Sequence, residues 1–336
     1  MSELLVTVER GPLVESLHRG DIAIVNARGE VISSIGDIEK VIFARSSMKP
    51  LQSIPIIETG AADHFQFDDG DLALACASHN GEKQHTKRAE LILSRLDLEV
   101  ANLKCGTHPP MLQETYEELI KSGGDSTPIH NNCSGKHSGM LTTAKYMNES
   151  LDDYYKIEHP VQQRILSVIS ELTDVLVEDI QIGTDGCGVP VHGIPLRNLA
   201  LGFARMADPS GLIESRQQSI GRVTAAMMNA PEMVGGTSRF CTDFMKHMGR
   251  KMFGKSGAEG VYCVGVPKAG IGIAVKIEDG NSRATNAVIM EILSQMNLID
   301  EQEAKALERY HFPALLNVRK EKVGVLKPVF SIYQKV

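Results

Sequence analysis

Both ends of this chain read as β and its long middle reads as helix, and that ordering limits the fold more than any other feature. Residues 3–36 carry short β-branched runs punctuated by glycine. These are Leu4 to Glu9, a turn at Arg10-Gly11-Pro12, Val14 to Arg19, Asp21 to Asn26, a turn at Gly29, and Val31 to Ile35. Such runs predict an antiparallel meander of three or four strands. The β character returns from Lys255, in Gly260 to Val266, Gly270 to Ile277 and a partly extended tail over Lys322 to Ile332. Gly270-Ile271-Gly272 stands alone inside that strand pattern and gives no nucleotide fingerprint.

Helical signals fill the interval. Ser46 to Thr59 predicts a helix that Pro55 should kink or end, whereas Pro50 is tolerable in a first turn. Further helices are expected over Gln84 to Ser94, Gln113 to Lys121, about Ser134 to Met147, Pro160 to Leu172, Leu212 to Met228, Arg239 to Met252, Ala287 to Met296 and Glu301 to Tyr310. The expected architecture is therefore α+β. Residues 1–45 and 255–336 form a discontinuous sheet lobe, and residues 46–254 form a mainly helical lobe. The active site is expected in a cleft between them.

Composition agrees with a folded chain of ordinary kind. Of 336 residues, 42% are hydrophobic and 23% charged, enough for a full core in one large or two ordinary domains. The net charge of −7 and the absence of any Lys/Arg run longer than two argue against a nucleic-acid partner. No apolar run approaches the ~20 residues of a membrane helix. The N-terminus lacks a basic stretch followed by an apolar one, so no export signal is expected and the location reads as cytoplasmic. Six cysteines then suggest reduced thiols or a metal site and not a disulfide framework.

Ser46-x-x-Lys49 is the only S-x-x-K in the sequence. At the start of a helix that spacing puts hydroxyl and amine on one face, and a lysine relieved of its proton can activate serine. The plainer reading is a capping serine and a surface lysine, and roughly one such motif is expected by chance in a chain of this size. Its company raises it. Ser78-His79-Asn80 follows, and Lys255-Ser256-Gly257 comes just before a C-terminal strand. That order matches the signature of serine β-lactamases and penicillin-binding proteins, whose chemistry is acyl transfer. Taken singly, the two later motifs are an Asx-type loop and a polar turn. Two pairings are open, Ser46 with Lys49 and Ser78 with Lys255.

A second cluster is Cys133-x-x-Lys136-His137 with Asp185-x-Cys187. Thiolates and nitrogen donors suit Zn²⁺. Burial as small apolar-like thiols is an equal alternative on these residues alone. A lysine ligand would be unusual, because the amine must lose its proton to bind.

Together, Arg45-Ser46-Ser47-Met48-Lys49-Pro50, Ala77-Ser78-His79-Asn80-Gly81-Glu82, Cys105-Gly106-Thr107-His108-Pro109-Pro110, Asn132-Cys133-Ser134-Gly135-Lys136-His137 and Asp185-Gly186-Cys187-Gly188-Val189-Pro190 resemble the L-asparaginase II family of the Rhizobium etli type. The likeness spans roughly residues 5 to 330. It implies a fold similar to serine β-lactamases and glutaminases, a homodimer, and hydrolysis of L-asparagine to L-aspartate and ammonia. By motif position it implies Ser46 as nucleophile with Lys49 as its base, and Ser78 with Lys255 as a second Ser–Lys pair. Cys133, Lys136 and Cys187 match its zinc ligands, with Asp185 and His137 close by, and the zinc is expected to tune the site. Lys255-Ser256-Gly257 stands where K-T-G is expected, and serine keeps the hydroxyl. Arg45, Asn80, Asn132 and Ser256 are substrate-binding candidates by adjacency, and each reads equally well as a structural residue. Two alternatives remain, a penicillin-recognising serine hydrolase and an inactive zinc-binding, asparagine-sensing module.

Overall fold

Strand Leu13–Asn26 is the longest in the chain's computed structural model, which describes residues 1–333. The sequence suggested two runs broken at Gly20, but Gly20 is paired on both sides, to Glu3 and to Ile277, so the strand runs through it. The chain divides into two compact units.

The first unit holds residues Met1–Ser47, Ile194–Asp208 and the segment beginning at Gly254. Its sheet has eight strands among the described residues. Seven lie in the order Ala314–Leu316, Lys322–Pro328, Glu3–Arg10, Leu13–Asn26, Ile271–Ile277, Val261–Val266 and Phe253–Gly257, and Val31–Ile35 pairs off Leu13–Asn26. The central pairings are antiparallel. Ile22 to Val25 and Val261 to Val266 are buried without alternation, which means both faces of the sheet are covered.

Helices Leu196–Ala207 and Ser282–Gln295 provide that cover. The sequence reading gave 194–208 to the helical lobe. The segment instead joins the sheet, because Leu196, Leu199, Ala200, Phe203 and Ala204 form one buried apolar face on it. Gly272 allows the approach, since a Cβ there would stand 2.0 Å from the Ala200 carbonyl oxygen.

The second unit comprises Met48–Gly193 and Pro209–Phe253 and is mainly helical. Its first helix is Lys49–Glu58, preceded by a 3-10 turn over Arg45–Met48, so the α-helix starts later than Ser46. Pro55 sits inside it without ending it, and the helix closes one turn later with Thr59 N donating to Pro55 O at 3.1 Å. Arg216, on helix Glu214–Asn229, ties three helices by ion pairs to Glu58 and, at 2.7 Å, to Glu171.

Helix Ser134–Tyr146 is buried from Ser134 to Ala144 although its sequence is small and polar. Its hydroxyls are satisfied within the helix: Ser138 Oγ donates to Ser134 O at 2.9 Å and Thr142 Oγ1 to Ser138 O at 2.8 Å. Strands Gln181–Thr184 and Pro190–Pro195 form a hairpin with Thr184 opposite Pro190. None of the six cysteines is in a disulfide, and all are buried. Among the described residues no helix is long and apolar enough to cross a membrane.

Candidate active site

Lys49 opens its helix and is 1% exposed. Its Nζ lies within hydrogen-bond distance of three groups: the carbonyl of Ala77, Ser78 Oγ at 3.0 Å and Cys133 Sγ at 3.1 Å. The lysine that meets Ser78 inside the helical unit is thus Lys49. This contact stands beside the pairings open in the sequence, Ser46 with Lys49 and Ser78 with Lys255.

Ser78 follows helix Asp69–Ala75, on a loop held from two directions. Ser78 N donates to Val234 O at 3.0 Å and His79 N to Asn132 O at 3.3 Å. His79 Nδ1 accepts from Gly81 N at 3.1 Å, so its Nε2–H donates to Ser134 Oγ at 2.9 Å. Burial, reinforced by His85 and Lys49, holds His79 well below the usual histidine range, so it is a neutral ring. Asn80 uses its amide to brace the same loop, donating to Thr237 O at 2.9 Å and Glu82 Oε1 at 3.2 Å.

Cys133 caps helix Ser134–Tyr146 at its N-terminus, where helix N–H groups favour a thiolate. A hydrogen bond from Cys187 holds Cys133 well below the usual thiol range. Burial opposes this, and the charges of Lys49 and Lys136 reinforce it. Cys187, the partner that keeps its proton, is pushed up by that sharing and by burial. Lys136 Nζ lies 3.0 Å from Cys187 Sγ and 3.8 Å from Asp185 Oδ2. Burial works against its charge, but Cys133, Cys187 and Asp185 outweigh that and hold Lys136 protonated.

The local fold explains this convergence. Gly135 lets the Ser134 helix press on helix Asp69–Ala75, for a Cβ there would stand 2.2 Å from Leu74 O. Asp185 and Cys187 come from the hairpin loop, closed by Asp185 N donating to Val189 O at 2.9 Å. The ligand atoms of Cys133, Asp185 and Cys187 all lie within 4.8 Å of one another. Two buried sulfurs, a carboxylate and an adjacent amine fit Zn²⁺ by number and kind of donor. Asp185 belongs to this group. His137 does not: its Nδ1 is bonded to Tyr154 Oη at 2.8 Å, and its Nε2 is buried without a partner among the described residues.

The remaining expected residues belong to the sheet unit. Ser46 is half-buried on the 3-10 turn, after Arg45, whose φ of 51° lies in the left-handed region. Arg45 faces Glu259 at 3.9 Å. Lys255 is fully buried in strand Phe253–Gly257 and donates to Ser256 O at 2.9 Å. Ser256 is half-buried beside it.

Two groups escaped sequence reading. Asn131, not Asn132, anchors the Cys133 loop: its Nδ2 donates to Cys105 O at 2.9 Å and its Oδ1 accepts from Cys133 N at 2.9 Å. Asn132 is half-buried, with Nδ2 3.6 Å from Met111 Sδ. The second group is the loop Val234 to Arg239, which braces Ser78 and Asn80 and whose only sequence signal is Gly235-Gly236.

A family model described as L-asparaginase II matches residues 6–328, nearly the whole chain. The protein is thereby an amidohydrolase of asparaginase type, acting on a small molecule. The chain belongs to the L-asparaginase II family. No curated protein matches it. Similar solved structures include a β-lactamase from Mycobacterium bovis, 12% identical at a TM-score of 0.41, covering 82% of this chain and 94% of that one. A D-alanine carboxypeptidase from Burkholderia cenocepacia is 15% identical at 0.37, covering 87% and 92%. Mglu in its native form in the presence of 4.3 M NaCl is 13% identical at 0.38, covering 84% of this chain and 61% of that longer one.

Proposed function

We propose that the protein hydrolyses the side-chain amide of L-asparagine, giving L-aspartate and ammonia through an acyl-enzyme. The observation that carries the reading is the buried contact of Lys49 Nζ with Ser78 Oγ at 3.0 Å. In the proposed chemistry a serine oxygen attacks the amide carbon while a lysine takes the hydroxyl proton. The same proton then goes to the departing nitrogen, which leaves as ammonia. Water attacks the ester, and the serine recovers its proton as L-aspartate is released. Lys49 and Ser78 form the dyad inside the helical unit. Ser46 and Lys255 are kept in the catalytic set on motif position, Ser46 as nucleophile.

Cys133, Cys187 and Asp185 would hold Zn²⁺ as anionic donors, and Lys136 would join on losing its proton. When bound, the ion would supply a fixed positive charge that keeps both sulfurs as thiolates. The chain's own contribution is Lys49, whose Nζ contacts both Ser78 and Cys133. We further propose a homodimer working in the cytoplasm, on the family resemblance, to be tested by sedimentation and fractionation.

The test is ammonia release from L-asparagine, L-glutamine and D-asparagine by wild type, Ser46→Ala and Lys255→Ala. Turnover of L-asparagine that falls by orders of magnitude in both folded variants supports the reading. Unchanged turnover in both rejects it, and nitrocefin hydrolysis by wild type would favour the penicillin-recognising alternative.

A further inference from the structure

An amino-acid amide brings a carboxylate that needs a cation not already committed. Around the Ser78 loop, Lys49 Nζ is engaged by Ala77, Ser78 and Cys133, and Lys136 faces Cys187 and Asp185. Arg239 is different. It is half-buried, and among the described residues its guanidinium makes no hydrogen bond or ion pair.

Its loop is fastened to the catalytic loop by main chain and side chain. Ser78 N donates to Val234 O at 3.0 Å and Asn80 N to Gly235 O at 2.9 Å. Glu82 completes the tie, accepting from Thr237 N at 2.7 Å and Thr237 Oγ1 at 2.9 Å. The stem of Arg239 lies over Gly235, where an added Cβ would stand 2.9 Å from Arg239 Cβ and 3.5 Å from its Cγ. Gly235 is the residue bonded to Asn80, so this stem is one backbone layer from the Ser78 loop. Burial and the neighbours His85, Lys49 and His108 depress the pKa of His79, and the positive charge of Arg239 adds to them.

We infer that Arg239 receives the α-carboxylate of the substrate and so selects amino-acid amides over simple amides. The inference rests on the amidase reading above. A guanidinium presents two parallel N–H groups to a carboxylate, whereas an ammonium offers a point charge. Glu82 and Asn80 fix Thr237 and with it the loop that carries Arg239, so both are positioning residues.

The experiment is steady-state ammonia release from L-asparagine by wild type, Arg239→Gln and Arg239→Lys, with L-aspartate as competitive inhibitor. The Gln variant should raise both KM and the inhibition constant of L-aspartate by ~100-fold, with kcat within about threefold of wild type. Lysine should bring part of the loss back, to a rise of roughly tenfold. An unchanged KM, or a loss confined to kcat, overturns the inference while leaving the amidase reading intact. Should the Gln variant not fold, the Lys variant decides in the same terms. A wild type that releases no ammonia from L-asparagine defeats the amidase reading itself, and this inference with it.

Discussion

Lys49 Nζ stands 3.1 Å from Cys133 Sγ, so the first residue of one helix and the cap of another share a buried hydrogen bond. The same amine touches Ser78 Oγ. One atom therefore connects a hydroxyl of the candidate catalytic set with the sulfur cluster. A change at the cysteines has a direct route to the hydroxyl, and the two sites cannot be varied independently.

Replacing Lys49 by Met keeps the buried stem and removes the amine. Asparagine turnover is expected to fall by about 10³-fold, within the range of a lost general base. Replacing Ser78 by Ala should cost a comparable factor. Circular dichroism would confirm the fold, and stopped-time ammonia assays would measure the loss. A Lys49→Met enzyme retaining more than about a tenth of wild-type kcat would remove the lysine from the chemistry.

Metal analysis of the purified protein should give about one zinc per chain, in keeping with a single site of three to four ligands. Cys133→Ala and Cys187→Ala should each abolish it. Asp185→Asn should weaken retention against a chelator by ~10- to 100-fold, and His137→Gln should leave stoichiometry unchanged. Zinc retained by the double cysteine variant would place the ion elsewhere.

Gly135→Ala sets two effects against each other. Alanine gains about 1 kcal/mol in helix propensity over glycine. The new methyl, however, would meet the Leu74 carbonyl oxygen at 2.2 Å, inside a packed helix pair. Overpacking of that kind costs about 3 kcal/mol, so the net expectation is a loss of ~2 kcal/mol. Urea unfolding would read it as a lower midpoint at constant slope, and a midpoint equal to or above wild type would contradict the close packing.

Burial, with Lys136 adding to it, pushes the imidazole of His192 down to about 4. In the unfolded chain the same ring titrates near its ordinary value of about 6.5. Between those two values the unfolded state binds a proton that the folded state refuses. Stability therefore falls as the pH drops through this window, by ~2 kcal/mol from pH 7 to pH 5 for His192 alone. His79 is depressed by burial in the same direction. Urea unfolding of wild type and His192→Asn at the two pH values tests this, and an equal pH effect in both proteins would clear His192 of the role.

Local sequence carried most element positions, for physical reasons visible in particular residues. Helix Gln113–Lys121 begins and ends where its polar pattern and Gly123-Gly124 place it. Helix Lys49–Glu58 departs from expectation because a proline in the last turn removes one N–H without forcing the backbone to stop. Helix Leu196–Ala207 was not read from the sequence at all, and its apolar face could not have said that it covers the sheet. The site divides similarly. The S-x-x-K, S-x-N and Cys-x-x-Lys motifs were legible because their spacing is short. The contact of Lys49 with Ser78 was not, because the two lie 29 positions apart and meet only through tertiary packing. Asn131 and Arg239 left no pattern at all, since their roles come from a loop crossing that spacing cannot encode.

Gly20 pairs with Ile277, and this has a consequence for how the protein is made. About 250 residues must be synthesised after strand Leu13–Asn26 before its partner on that edge, Ile271–Ile277, exists, which at ~10 residues per second is some 25 s on the ribosome. The helical unit ends at Phe253, so it is fully translated while the first strands still wait with open edges. A premature stop beyond that point would release a chain whose helices can assemble while its N-terminal strands keep an unpaired edge, a ready substrate for chaperones and for aggregation.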